Sequence, residues 1–277
     1  MKNLPWTLLL APLVAACSAS GDQPPAPQAA KPAPRGGYLA QAALPDSRAY
    51  LASPPAPGSA ALARDEEASR AGLALAGGAR WTLAAEDADL FGAGATAALS
   101  CAAGFDISPR STPALDRLLR RSLVDFAVAT GSAKKAYMRP RPFMVNGKAS
   151  CTPAHEAGLR RDGSFPSGHS AVGFGWSLIL AGLVPDRAAE LVARGRAFGE
   201  SRRICNVHWK SDIEEGRLVA AAVMPLLATD AGFQADLAAA RAEIAAARSI
   251  PPARDCAGEA AALALDPVSD PSAAPAR

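Results

Sequence analysis

Between residues 115 and 137 the chain sets apolar residues at helical spacing. Leu115, Leu118, Leu119, Leu123 and Phe126 fall on one face. Such a face must be buried, so the stretch commits the chain to packing helices against one another. The spacing predicts one long helix over 115–137. It ends at Arg139-Pro140-Arg141-Pro142, where two prolines deny the backbone its helical bonds. The same pattern predicts helices over 62–75, within 81–98, and over 170–183, 186–199, 213–227 and 233–247, with Pro225 near the end of the 213–227 helix. Residues 170–183 are almost wholly apolar, which suits a buried helix. No alternating strand pattern stands out. Hydrophobic residues make up 49% of the chain but aromatics only 5%, and much of the apolar content is alanine and leucine, which favour helix over sheet. The expected fold is all-α: a single-domain helical bundle over residues 38–248.

Both ends of the 277 residues read differently. Met1-Lys2 is a short charged start, and Leu4 to Ala16 is an apolar run of 13 residues, too short to span a bilayer and right for a signal-peptide core. It closes on Val14-Ala15-Ala16-Cys17, the small-residue pattern of a bacterial lipobox, in which the cysteine is lipidated and becomes the first residue. Ser18 in place of an aspartate leans toward the outer membrane. Residues 1–16 are therefore expected to be a lipoprotein signal peptide, and 17–37 a lipidated cysteine with a Pro/Ala-rich tether. Residues 249–277 read as a Pro/Ala-rich tail, without regular structure except where Cys256 ties it down. Five cysteines are odd for an exported protein. Lipidation of Cys17 leaves Cys101, Cys151, Cys205 and Cys256, enough for two disulfides in an oxidising compartment, in any of three pairings. The expected location is periplasm-facing or on the cell surface, held to the membrane only by the lipid.

A net charge of +3 is too mild to point to nucleic-acid polymers. The local distribution says more. Lys134, Lys135, Arg139, Arg141 and Lys148 lie within one short stretch that holds no acidic residue, a combination that draws in anions. Lys134 and Arg141 are placed to converge on one anion, the guanidinium as a planar fork and the ammonium as a compact charge. Pro166-Ser167-Gly168-His169 comes directly before the apolar 170–183 stretch. Free N–H groups and the dipole at a helix start suit phosphate, Ser167 adds a hydroxyl, and Gly168 allows close backbone approach. Further on stand Ser201-Arg202, His208 and Asp212. If the turn is helical, His208 and Asp212 share a face, and the carboxylate orients the imidazole as a nucleophile or base.

Together, Lys134-x6-Arg141-Pro142, Pro166-Ser167-Gly168-His169 and Ser201-Arg202-x5-His208-x3-Asp212 resemble the signature of the type 2 phosphatidic acid phosphatase superfamily. The stretches 84–88, 137–139, 163–169 and 199–205 look like its class A bacterial non-specific acid phosphatase branch, and the resemblance runs from about Tyr38 to Ala247. It implies a helical fold of the acid phosphatase and vanadium haloperoxidase type, and hydrolysis of phosphate monoesters (nucleotides, sugar and aryl phosphates) through a phosphohistidine. It implies His208 as nucleophile, His169 as general acid and base, Asp212 orienting His208, and Lys134, Arg141, Ser167, Gly168 and Arg202 on the phosphate. It further implies phosphotransferase activity, dimers or larger homo-oligomers, and a Cys151–Cys205 pair, which would leave Cys101 with Cys256. No cofactor is expected. The three histidines, His155, His169 and His208, form no His-Glu-x-x-His, and there is no Cys-x-x-Cys, so no metal is expected either; His155 reads as a solvated loop residue. An acidic optimum follows if neighbours split the two histidine pKa values, leaving His169 protonated and His208 neutral. The rival readings are a vanadate-dependent haloperoxidase, a lipid or lysophospholipid phosphatase, and a non-enzymatic lipoprotein on the same fold.

Overall fold

The computed structural model describes Met1 and residues 36–266. The signal segment, Cys17 and the tether up to residue 35 lie outside the described residues, as does 267–277. Everything below belongs to one compact unit, Ala33–Arg277. Among its described residues there is no strand.

In chain order the α-helices are α1 (Ala60–Leu73), α2 (Ala79–Glu86), α3 (Ser100–Ala103), α4 (Pro113–Ala129), α5 (Gly131–Tyr137), α6 (Pro142–Asn146), α7 (Glu156–Leu159), α8 (Gly168–Leu183), α9 (Ala188–Ile204), α10 (Lys210–Leu227), α11 (Ala231–Ala247) and α12 (Cys256–Ala264). The apolar α8 is the axis of the bundle, packed by α9, α10 and α4, with α11 outside α4. Trp176 of α8 meets Phe198 of α9 edge-on and donates its indole N–H to the Leu119 carbonyl of α4 at 2.7 Å. The apolar face foreseen on α4 (Leu115, Leu118, Leu119, Leu123, Phe126) is buried in this core.

Glycines let the helices close up around the start of α8. A Cβ at Gly199 would sit 2.7 Å from Ser170 Oγ, and one at Gly216 only 2.5 Å from the Ser167 carbonyl oxygen. Any side chain there would push α9 or α10 away from α8. The N-terminus of α8, the C-terminus of α9 and the N-terminus of α10 thus converge.

Three expectations are corrected. The single helix over 115–137 is two, because Thr130 turns its hydroxyl back to the Ala127 carbonyl at 2.7 Å and Gly131 starts a new segment. The 186–199 helix continues to Ile204, carrying Ser201 and Arg202 within it, since Glu200 and Arg203 pair at 3.0 Å inside the protein rather than ending in solvent. The folded chain also does not stop at 248. α12 and Asp266 pack back onto the bundle, where Glu259 meets Arg194 at 3.1 Å and Asp266 meets Arg203 at 2.7 Å. Two disulfides form, Cys101–Cys256 and Cys151–Cys205. The first fastens α12 to α3. The second ties the 150s loop to the turn before His208.

Candidate active site

Four segments build the site: the end of α5 with the Arg139–Arg141 extension, the start of α8, the end of α9, and the turn into α10. That turn depends on Asn206, which adopts φ 63° and bonds Lys148 O and Asn146 through its amide. Asparagine tolerates this left-handed conformation better than most residues.

His208 lies in this turn, just before α10. Its Nδ1 is 3.3 Å from Asp212 Oδ2. The two do not meet as neighbours on a helix face, as the spacing suggested. Asp212 sits in the first turn of α10 and accepts the Trp209 backbone N–H at 2.9 Å, so its carboxylate reaches back as a cap to both residues. Its other oxygen accepts from Arg139 Nη1 at 2.7 Å, and Arg139 Nη2 reaches Asp65 of α1 at 2.7 Å. Asp65 also accepts from the backbone and hydroxyl of Ser211. Burial raises the Asp212 pKa, opposed chiefly by Arg139 and the Trp209 amide.

His169, in the first turn of α8, places Nε2 3.0 Å from the Ala88 carbonyl oxygen. Because a carbonyl only accepts, Nε2 carries a proton, and Nδ1 is the nitrogen that exchanges one. Ser167 caps α8: its Oγ accepts the Ser170 N–H at 3.2 Å, which leaves the hydroxyl proton to donate elsewhere. A Cβ at Gly168 would touch only Thr130 Oγ1, at 3.8 Å. The protein itself therefore does not require glycine there.

Arg141 and Arg202 are 1% and 2% exposed. Arg141 is bound on all sides. Nε faces the Leu159 and Asp162 carbonyls at 3.0 and 3.3 Å, and Nη1 faces Val207 O at 3.1 Å and His208 Nε2 at 3.0 Å. Nη2 reaches Asp162 Oδ2 at 3.1 Å and Gly163 O at 3.3 Å. Arg202 is the opposite case: its buried Nε and Nη1 have no hydrogen-bond partner. Lys134 Nζ donates to Asp162 Oδ2 at 3.2 Å and Gly163 O at 2.6 Å.

These cations share one electrostatic space with the histidines. Burial, then Arg141, Lys134 and Arg202, push the His208 pKa well below the usual imidazole value. Burial, Arg202, His208 and Arg141 do the same to His169, against the Ala88 carbonyl. Burial and Arg141 bring Lys134 down to about 8 and Arg202 to about 10. The two imidazoles are therefore moved in the same direction, not split apart as the sequence reading expected.

The residues picked from the sequence for a phosphate site, Lys134, Arg141, Ser167, Gly168 and Arg202, stand on these four segments. His155 is exposed on the loop before α7, within electrostatic reach of Asp89. Four participants were not foreseen: Asp65, Ala88, Arg139 as a partner of Asp212, and Asp162. Arg139 had a signal, since it stands inside the basic cluster. The others had none, because a backbone carbonyl and two isolated aspartates carry no spacing. Among the described residues no group of three or more His, Cys, Asp or Glu side chains is arranged to hold a metal, and no single helix is long and apolar enough to cross a membrane.

The chain is similar to known proteins over most of its length. A family model described as the PAP2 superfamily matches residues 122–234. An acid phosphatase of Zymomonas mobilis is 39% identical over 204 residues, covering 74% of this chain and 77% of the relative. Non-specific acid phosphatases are similar too: that of Salmonella typhimurium is 42% identical over 200 residues (72% and 80%), and that of Providencia stuartii 37% over 209 (75% and 84%).

Proposed function

Given that the chain belongs to the bacterial non-specific acid phosphatases of the PAP2 superfamily, and so hydrolyses phosphate monoesters, we propose that it does so through a phosphohistidine on His208. The observation that carries this is Arg202. A buried guanidinium with two unpaired nitrogens, in the field of Arg141 and beside both imidazoles, is costly unless an anion completes it.

In the proposed reaction Asp212 holds the Nδ1–H of His208, so the lone pair is on Nε2. Nε2 attacks phosphorus in line, forming the N–P bond as the ester P–O bond breaks. His169, protonated on Nδ1, gives that proton to the leaving oxygen. Neutral again, it takes a proton from water, whose oxygen attacks phosphorus and releases His208 and phosphate. Arg202, Arg141, Lys134, the Ser167 hydroxyl and the Gly168 N–H hold the non-bridging oxygens. Two guanidiniums and an ammonium supply the charge neutralisation, so no metal is required. The depressed pKa values keep both imidazoles neutral near pH 6.5, which leaves the His208 lone pair free to attack and requires acid for His169 to gain its proton. Nucleotides, sugar phosphates and aryl phosphates are the proposed substrates, and added alcohols would accept phosphate from the intermediate. His208→Ala should abolish turnover of p-nitrophenyl phosphate with the fold retained, and a chelator should change nothing. Substantial activity in that variant would refute the mechanism.

Two disulfides fit an extracytoplasmic enzyme. The Cys17 motif supports a lipid-anchored form at the outer membrane, with 18–37 as tether. Membrane fractionation of wild type and Cys17→Ser tests this: wild type should pellet with membranes and the variant should not. A wild-type protein that stays soluble would refute the anchor.

A further inference from the structure

Arg141 offers five N–H groups, and all have partners in the protein. The carbonyls of Leu159, Asp162, Val207 and Gly163 are fixed backbone and hold the guanidinium plane in place. Only two of its partners can exchange: His208 Nε2 and the Asp162 carboxylate. Lys134 repeats the pattern, with one fixed bond to Gly163 O and one to Asp162. A single oxygen, Asp162 Oδ2, thus bridges the ammonium at 3.2 Å and the guanidinium at 3.1 Å. That is the position a phosphate oxygen would take between the same two cations. Unlike those cations, the Asp162 side chain is 52% exposed, so it loses little hydration by staying and can swing into water when displaced.

We propose that Asp162 is a built-in competitor for the phosphate site: its carboxylate occupies Lys134 and Arg141 in the free enzyme and gives way to the phosphoryl group of substrate. The inference rests on the reading of this pocket as the phosphate site. Its effect is to weaken the binding of every phosphate species, product included. An anion held by two guanidiniums and an ammonium without competition would leave slowly. Asp162 also keeps Lys134 and Arg141 paired between turnovers, so their mutual repulsion does not open the pocket.

The test is competitive inhibition by inorganic phosphate, measured against p-nitrophenyl phosphate for wild type, Asp162→Asn and Asp162→Ala. Both variants should bind phosphate more tightly, with the inhibition constant lowered about three- to tenfold and KM lowered alongside it. The shift should be the same for substrates with different leaving groups, since only the phosphate end is affected. Inhibition constants that rise would mean that Asp162 orients the cations for phosphate and does not compete with it. Unchanged constants, with or without a lower melting temperature, would reduce it to a structural residue. Either outcome overturns the proposal. Absence of competitive inhibition by phosphate in the wild type would instead defeat the reading of the site.

Discussion

The two arginines at the heart of the pocket are equally buried and oppositely furnished. Arg141 has a protein acceptor for each of its donors, three of them carbonyls of the loops around residues 159–163. Arg202 projects from the end of α9 with Nε and Nη1 unpaired. Arg141 is therefore part of the scaffold as well as a proposed ligand for the anion. Only the field of Asp87 offsets the burial of the Arg202 charge, and no hydrogen bond from Nε or Nη1 adds to it. The difference suggests a division of labour: a rigid wall on the α5–α6 side and an uncommitted clamp on the α9 side.

Replacing each arginine by methionine, which keeps bulk but removes charge, should separate the two roles. Arg202→Met loses charge-assisted bonds made only to the anion, of about 1.5–3 kcal/mol each, and should lower kcat/KM by at least about a hundredfold. Its melting temperature should hold or rise, because an uncompensated buried charge is gone. Arg141→Met should lose activity to a comparable or smaller degree, but its melting temperature should fall by about 5–10 °C as buried carbonyls lose their donor. Steady-state kinetics and thermal unfolding on the two proteins check this. Equal losses of stability would erase the distinction.

How much of this was legible beforehand follows the same divide. Lys134, Arg141, Ser167, Gly168, His169, Arg202, His208 and Asp212 could be picked out because the family signature they resemble consists of short motifs with fixed spacing. The helical fold was legible from apolar periodicity, most clearly in α4 and α8. What surrounds those groups was not. Asp65 reaches the site from α1 across 146 positions to Ser211, Ala88 contributes only a carbonyl, and Asp162 bears on the site through two cations that the family resemblance assigned to substrate. Helix ends escaped for similar reasons. The break at Thr130 comes from a hydroxyl bond to the chain's own backbone, and α12 and the Asp266 that follows it are held by a disulfide and by buried ion pairs to Arg194 and Arg203. None of these leaves a periodic trace.

Lys134 sharpens the comparison at a smaller scale. It stands on the same wall as Arg141 and, unlike either arginine, can lose its charge just above neutral pH. Its pKa is depressed to about 8, so the cation is present below that value and lost above it. Above the fall set by His169, the kcat/KM profile should therefore show a second fall near pH 8, expressed mainly in KM for phosphate esters. Lys134→Arg should move this second fall upward. A second fall that stays in place in that variant would assign it to another group.

His208 Nε2 is the proposed nucleophile, freed by Asp212 and aimed at an anion in the grip of Arg202. Rapid quenching of wild type with phosphorus-labelled substrate, followed by peptide mapping, tests it most directly. Acid-labile, base-stable label should appear on the peptide containing His208 and be absent from His208→Ala. Label on another residue, or single-step transfer to water with inversion at a chiral phosphorus, would contradict it.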